Sequence, residues 1–359
     1  MVAAAATSRS LELRPTKGMG RIFIESQFFT KIKKTALTPE TSLTGKTALI
    51  VGGSDGIGLH AGRHLLSLNL SRLIIAARSA EKGGRVAAQF RKEFPSATID
   101  VWSVEMTSYD SIQALAKRAA AEFTGGKRLD IAILNAGIVR AKLVLDKNTG
   151  HCEVIQVNYI STSLLAILLL PVLRHKPSGG KTPSSPGRLT IVSSGTAYNA
   201  KFPNKNERPF LASFDDPKTW NSFVQYPTSK ALGHLFMVRL LDHLPAGFED
   251  EVIVNLVDPG YCKGTGLHRD AKGALSLFLE TTKSLTGRSL VDGAWTYVDA
   301  VVNKGKESHG CYVMDFEIFP FTPIVYAEEG QKLMDDLWDE TMAELSFAGL
   351  REVLDSLKH

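Results

Sequence analysis

Cysteine is scarce in this chain: there are three, Cys152, Cys262 and Cys311, in 359 residues. An odd number, widely scattered and in no metal-ligand spacing, argues against a disulfide scaffold or a zinc site and for free thiols in a reducing compartment. No lysine- or arginine-rich run is interleaved with aromatics, and a net charge of +5 is mild for this length, which removes nucleic acid from the expected partners. No apolar run reaches the roughly 20 residues that cross a bilayer. The most apolar stretch, 164–173, contains Pro171 and reads as a buried helix. The first residues, Met1-Val2-Ala3-Ala4-Ala5-Ala6, lack the basic-then-apolar order of a secretory signal, so a cytoplasmic location is expected. No internal repeat occurs either.

What is present is a globular composition, 44% hydrophobic and 22% charged, enough to bury a substantial core. From Gly45 onward, short β-branched runs alternate with longer amphipathic stretches. Strands are predicted at about 47–51, 72–77, 98–102, 130–134, 188–192, 251–257 and 311–314. Such alternation predicts an α/β protein, a single Rossmann-type doubly wound parallel sheet with helices on both faces. Ligands of such sheets bind at the carboxyl ends of the strands. The expected organisation is an N-terminal extension over 1–44, a catalytic domain over 45–320 and a C-terminal helical extension over 321–359. In the extension, apolar residues at 24, 28 and 32 near Lys31, Lys33 and Lys34 outline a basic amphipathic helix. It is expected to pack on the body of its own protein, with peripheral membrane contact as the alternative. The low-complexity stretch 176–187 is expected to be a surface excursion. The stretch 199–225, carrying Phe202, Phe210, Phe214, Trp220 and Phe223, has the length of a lid or binding loop.

Val51-Gly52-Gly53-Ser54-Asp55-Gly56-Ile57-Gly58 lies between the first strand and a helix. Unpaired N–H groups at a helix start carry partial positive charge, and glycine lets a pyrophosphate approach the backbone. Gly52, Ser54, Asp55, Gly56, Ile57 and Gly58 are therefore candidates to bind a dinucleotide. The second strand ends in Ala76-Ala77-Arg78-Ser79, with no acidic residue to meet a free ribose hydroxyl and with Arg78 suited to a 2′-phosphate. NADP(H) is accordingly expected in preference to NAD(H).

Tyr226-Pro227-Thr228-Ser229-Lys230 places a tyrosine and a lysine four apart, on one face of a helix. A free phenol has a pKa of about 10, and an ammonium beside it would lower that value, giving a group able to exchange a proton with an alcohol or ketone. Ser193 and Ser194 end the fifth strand, where a hydroxyl can hold a substrate oxygen. Asn158 is an amide inside an otherwise apolar helix and needs partners.

Together these motifs resemble the short-chain dehydrogenase/reductase family over nearly all of 45–320. The family's T-G-x-x-x-G-I-G is matched by Val51 to Gly58, its N-A-G by Asn135-Ala136-Gly137, and its helical asparagine by Asn158. Its serine is matched by Ser194, its Y-x-x-x-K by Tyr226 and Lys230, and its P-G by Pro259-Gly260. The details look most like the retinol-dehydrogenase-like branch, many of whose fungal members serve specialised-metabolite pathways. The resemblance implies hydride transfer between a nicotinamide and a carbonyl or carbinol carbon. It also implies Tyr226 as general acid/base, Lys230 lowering its pKa and holding the nicotinamide ribose, Ser194 orienting the substrate oxygen and Asn158 fixing a proton-relaying water. Cofactor contacts are implied for Arg78, Glu105, Asn135, Gly137, Tyr226, Lys230, Pro259 and Gly260. The family commonly pairs through helices corresponding to about 151–173 and 226–244, which implies a homodimer or homotetramer.

Several positions depart from the family pattern. Val51 replaces a threonine that would steady the turn, Leu134 replaces the first asparagine of N-N-A-G, and Glu105 stands where an aspartate commonly contacts adenine. Asp258 precedes Pro259, and Thr265 is shifted from the usual place after P-G. The resulting expectation is a reductase of ketones, or the reverse dehydrogenase, acting on a bulky, largely apolar substrate such as a polyketide or terpenoid. The loop 199–225 and the apolar segment 274–279 are expected to close over it. The alternatives are a retinol- or lipid-type alcohol dehydrogenase, a catalytically silent NADP(H)-binding redox sensor, and an enzyme that oxidises transiently to epimerise or dehydrate.

Overall fold

The computed structural model describes residues 8–174, 185–266, 282 and 284–358. The segment 274–279 and most of 176–187 lie outside the described residues.

Eight strands form one sheet in the order β3-β2-β1-β4-β5-β6-β7-β8. They are β1 Thr47–Val51, β2 Arg72–Ala77, β3 Thr98–Ser103, β4 Ile131–Leu134, β5 Gly187–Val192, β6 Val252–Asp258, β7 Cys311–Met314 and β8 Glu317–Phe319. The first seven are parallel, and every residue of β1, β4, β6 and β7 is buried, as expected of strands covered on both faces. The strand order reverses between β1 and β4, and the crevice at that switch point opens at the carboxyl ends of the strands.

Two short helices, α1 Arg9–Glu12 and α2 Met19–Ile24, precede the sheet. One face of the sheet is then covered by α3 Gly56–Ser67, α4 Ala80–Glu93 and α9 Leu290–Val298, whose apolar residues join one core cluster. The other face carries α5 Tyr109–Glu122, a helical run from α6 Glu153–Ile155 through a wide turn Gln156–Ile160 into α7 Ser161–Leu173, and α8 Ser222–His243. The run Glu153–Leu173 is long and apolar enough to cross a membrane by composition, yet 89% of its apolar window is buried inside the fold. It is a core helix.

The C-terminal helices α10 Glu328–Glu344 and α11 Leu350–Ser356 pack on α8 and α7 respectively. Both helices on which the expectation of pairing between copies rests therefore also touch C-terminal helices of the same chain.

Three expectations need correction. First, the last strand pair is a hairpin: β8 runs antiparallel to β7 across Asp315 and Phe316, whose φ angles are +52° and +66°. Turns of that hand usually pair asparagine or aspartate with glycine, and here Phe316 stands where the glycine is expected. Second, the N-terminal helix packs with a different face. Ile22 and Ser26 are buried, whereas Ile24, Phe28 and Phe29 are exposed. Third, the aromatic loop does not close over the cavity described below. Phe210 and Phe214 are buried in the core with ring centroids 5.0 Å apart, and of residues 199–225 only Asn199 reaches the cavity wall. The loop is held down because Glu340 on α10 accepts the backbone N–H groups of Phe210 and Leu211 at 2.7 and 2.8 Å.

Candidate active site

A cavity of about 920 Å³ opens along the carboxyl ends of the strands, near the upper end of the ~300–1,000 Å³ typical of ligand pockets. The turn after β1 forms one end. Asp55 caps α3 by accepting the Gly56 N–H at 2.7 Å, and Gly56, at φ +57°, has open space within 4 Å of where a side chain would start. This bare helix start suits a pyrophosphate. Gly52, Ser54, Asp55, Gly56 and Ile57 all line the cavity. Gly58 stands behind them: a Cβ there would lie 2.5 Å from the Gly52 carbonyl oxygen, so its glycine is needed for close packing. The support that Val51 cannot give comes from Asn135, whose amide donates to the Gly52 carbonyl at 2.9 Å and accepts from the Tyr297 hydroxyl at 2.9 Å.

Arg78 and Ser79 lie at the end of β2 on the same wall, joined by Lys82, a cation that strand-end reasoning did not reach. Ser79 caps α4 by accepting the Lys82 N–H at 3.2 Å, which brings Lys82 into the first turn beside Arg78. Glu105 faces Arg78 at 3.7 Å and also lines the cavity. A phosphate monoester would meet two cations and a hydroxyl at this corner.

Further along stand Ser194, Tyr226 and Lys230, brought together from β5 and α8. Asn221 caps α8 by accepting the Phe223 N–H at 2.9 Å, so Tyr226 and Lys230 sit in its first turns with the Lys230 ammonium 5.8 Å from the Tyr226 ring centre. The two strand-end serines have separate fates. Ser193 turns into the core toward His234 at 2.9 Å, whereas Ser194 bonds the Tyr226 side chain and accepts from the Thr196 hydroxyl at 3.0 Å. Lys230 donates to the Val192 carbonyl at 2.8 Å, and burial pulls its pKa down to about 8, partly opposed by Asp258.

A lysine on the same helix face is expected to lower the pKa of the phenol. Instead burial raises it, with Asp258 adding to the rise and the bond to Ser194 opposing it. The reason is geometric: the ammonium hydrogen-bonds the end of β5 rather than the phenol oxygen, and a carboxylate shares the pocket.

Asn158 lies behind the cavity wall, in the wide turn Gln156–Ile160; such turns often mark functional positions. Its carbonyl accepts the Ile138 N–H at 2.8 Å, and its amide donates to the Ile138 carbonyl at 2.9 Å and to Ser229 at 3.0 Å. The loop after β4 is thereby tied to α8. Gly137 belongs to that loop, and a Cβ on it would approach Asn158 Oδ1 at 3.3 Å and Lys230 Nζ at 3.5 Å. Pro259 and Gly260 line the far side, with Thr265 beyond them.

Asp258, legible in the sequence only as a departure from the family pattern, is 3% exposed and lines the cavity at the end of β6. Burial, helped by Asp315, raises its pKa to about 6, against Arg288 and the backbone N–H groups of Gly260 and Gly195. Met19, Gly20, Phe23, Ser26 and Gln27 of the N-terminal extension also line the cavity, and no sequence signal placed them there.

Comparisons with known proteins agree with this geometry. A family model for short chain dehydrogenases matches residues 46–201. The short chain dehydrogenase/reductase mfmJ of Annulohypoxylon moriforme is 48% identical over 94% of this chain and 96% of its own. The short chain dehydrogenase virL of Hypocrea virens is 38% identical over 88% of this chain and 90% of its own. Among solved structures, the oxidoreductase yciK from E. coli superposes with a TM-score of 0.56 at 21% identity, covering 78% of this chain and 99% of that one. A short chain dehydrogenase from Shigella flexneri complexed with NADP gives 0.55 at 19%, covering 77% of this chain and all of that one. With its sheet order, its glycine-rich turn and relatives matched over nearly their whole length, the chain belongs to the short-chain dehydrogenase/reductase family of oxidoreductases.

Proposed function

We propose that this protein is an NADP(H)-dependent enzyme interconverting a ketone and a secondary alcohol on a bulky, largely apolar small molecule, in specialised metabolism. The observation that carries this reading is the meeting of Ser194, Tyr226 and Lys230 in the cavity whose other end is the glycine-rich turn. When bound, a nicotinamide dinucleotide supplies or accepts the hydride.

The chain's own residues divide the remaining work. Asp55, Gly56 and Ile57 offer the helix start to the pyrophosphate. Arg78, Ser79 and Lys82 favour a 2′-phosphate, since hydrogen bonds between cations and phosphate are among the stronger polar contacts. Ser194 holds the carbonyl oxygen, and Tyr226 donates its proton to that oxygen as the alcohol forms. Loss of that proton leaves a phenolate, which the side-chain bond to Ser194 favours, while the Lys230 ammonium, held at the end of β5, keeps a positive charge in the same pocket. Asn158 positions the loop after β4 and the start of α8 around this point.

The test is cofactor oxidation with NADPH and NADH against a panel of bulky ketones, using cofactor carrying deuterium at C4. The expected result is faster consumption of NADPH than of NADH, with one deuterium delivered to the carbinol carbon. Unlabelled alcohol, or a cofactor-bound protein that consumes neither nucleotide across the panel and its matching alcohols, would overturn the reading.

A further inference from the structure

The N-terminal extension lies outside the residues matched by the family model, yet it builds one wall of the cavity. Helix α2 packs on the turn Gly195–Asn199, which directly follows Ser194. The Met19 methyl stands 3.7 Å from where a Cβ on Gly195 would be, beside the residue that follows Ser194. Phe23 meets Tyr261, from the loop after β6, edge to face with ring centroids 5.8 Å apart. Both Met19 and Phe23 are only partly buried, and both line the cavity.

The helix is clamped in place. Ser26, 2% exposed, donates to Asp315 at 3.0 Å, and its carbonyl accepts from the buried Arg288 guanidinium at 2.6 Å. Arg288 is itself paired with Asp315. Gln27, in the amide orientation that satisfies both its atoms, exchanges two hydrogen bonds of 3.1 Å with the Tyr261 backbone. A wall fixed this firmly can discriminate between shapes, because it cannot retreat from a poor fit without breaking buried bonds.

We propose that α2 selects the substrate, and that Met19, Phe23 and Tyr261 form an aromatic and thioether corner for a flat, ring-bearing carbonyl compound. The ring would lie against the face or edge of Phe23 and against the Met19 sulfur, both of which favour aromatic partners over aliphatic chains. This inference rests on the carbonyl-reducing reading above.

The test compares two ketones with the same number of carbons, 2-acetylnaphthalene and 2-dodecanone, by calorimetric binding to the NADP⁺-loaded protein and by kcat and KM with NADPH. In Phe23→Ala, 2-acetylnaphthalene should bind about tenfold more weakly and its KM rise to match, whereas 2-dodecanone should change less than about threefold. The NADP⁺ dissociation constant should stay within about twofold of wild type, because Phe23 is remote from the phosphate end. Phe23→Tyr should restore ring binding. Met19→Ala should show the same bias more weakly, and serves if Phe23→Ala folds poorly. Equal losses for both ketones, or no loss for either, would overturn the selecting role alone and leave the reductase reading standing. Failure of the wild-type, cofactor-loaded protein to bind or reduce any carbonyl compound would overturn both.

Discussion

The glycine-rich end of the cavity draws its walls from residues 51–57 and the next two strand ends, whereas the opposite end is assembled from segments as far apart as Met19 and Met314. At the first end small residues and backbone do the work, and the constraint is local: a turn, a helix cap and Gly58 fitted against the Gly52 carbonyl. At the second end the contributors are buried side chains held by long-range bonds, Ser26 to Asp315 and Arg288 among them. Physics that acts over a few residues leaves a motif. Physics that acts between distant segments leaves none.

The largest expected effect breaks the first end. Gly58→Val would drive a Cβ against the Gly52 carbonyl and the Asn135 amide, costing about 3 kcal/mol or more. NADPH binding should be lost at protein concentrations where wild type saturates, as read by fluorescence titration.

A second change serves as a control, because it touches neither end. His151 is paired with Asp215 at 3.0 Å and Glu344 at 3.2 Å, joining the aromatic loop and α10 to the body of the fold. Burial alone would lower its pKa, but the two carboxylates outweigh burial and hold it at about 9. A histidine pKa raised on folding adds stability that is complete below its unfolded value of about 6.5 and is lost as pH climbs through about 9. His151→Ala should therefore destabilise the protein by about 2 kcal/mol at pH 7 and progressively less as pH rises toward 9, with this part of the loss gone above that value, by denaturant titration, with cofactor affinity unchanged.

Arg78→Ala sharpens the comparison by acting on the first end alone. It should weaken NADPH binding by about tenfold and leave NADH binding nearly unaltered. Equal effects on both nucleotides would place the 2′-phosphate elsewhere.

The smallest effect lies where the two ends meet. Lys230 is charged below its pKa of about 8, so ketone reduction should fall as pH rises past that value, approaching tenfold per unit. Asp258 holds that pKa up, so Asp258→Asn should move the alkaline limb of kcat/KM to lower pH, while kcat on the plateau changes little.

The legibility of the molecule follows the same division. The seven parallel strands, the glycine turn, Arg78 at the end of β2 and the spacing of Tyr226 and Lys230 could all be read, because period, turn chemistry and helical registry are properties of contiguous residues. The hairpin into β8 could not, since Phe316 adopts a left-handed conformation where glycine is usual. The aromatic residues of the loop 199–225 suggested a substrate cover, but Phe210 and Phe214 join the core once Glu340, more than a hundred residues away, captures the backbone beside them. The N-terminal helix showed apolar residues at 24 and 28, yet a polar bond from Ser26 determines which face turns inward. Asn158 could be recognised as an inward-facing amide, but its partners on the loop after β4 belong to the fold and not to its neighbours in sequence.

On the proposed reading, the cofactor end is complete without the proton donor, whereas turnover requires Tyr226 where the two ends join. The most direct measurement is NADPH affinity and ketone turnover for wild type and Tyr226→Phe, side by side. We expect a dissociation constant within about threefold of wild type, together with a loss in kcat of about a thousandfold. Turnover retained in Tyr226→Phe, or affinity lost along with it, would contradict the claim.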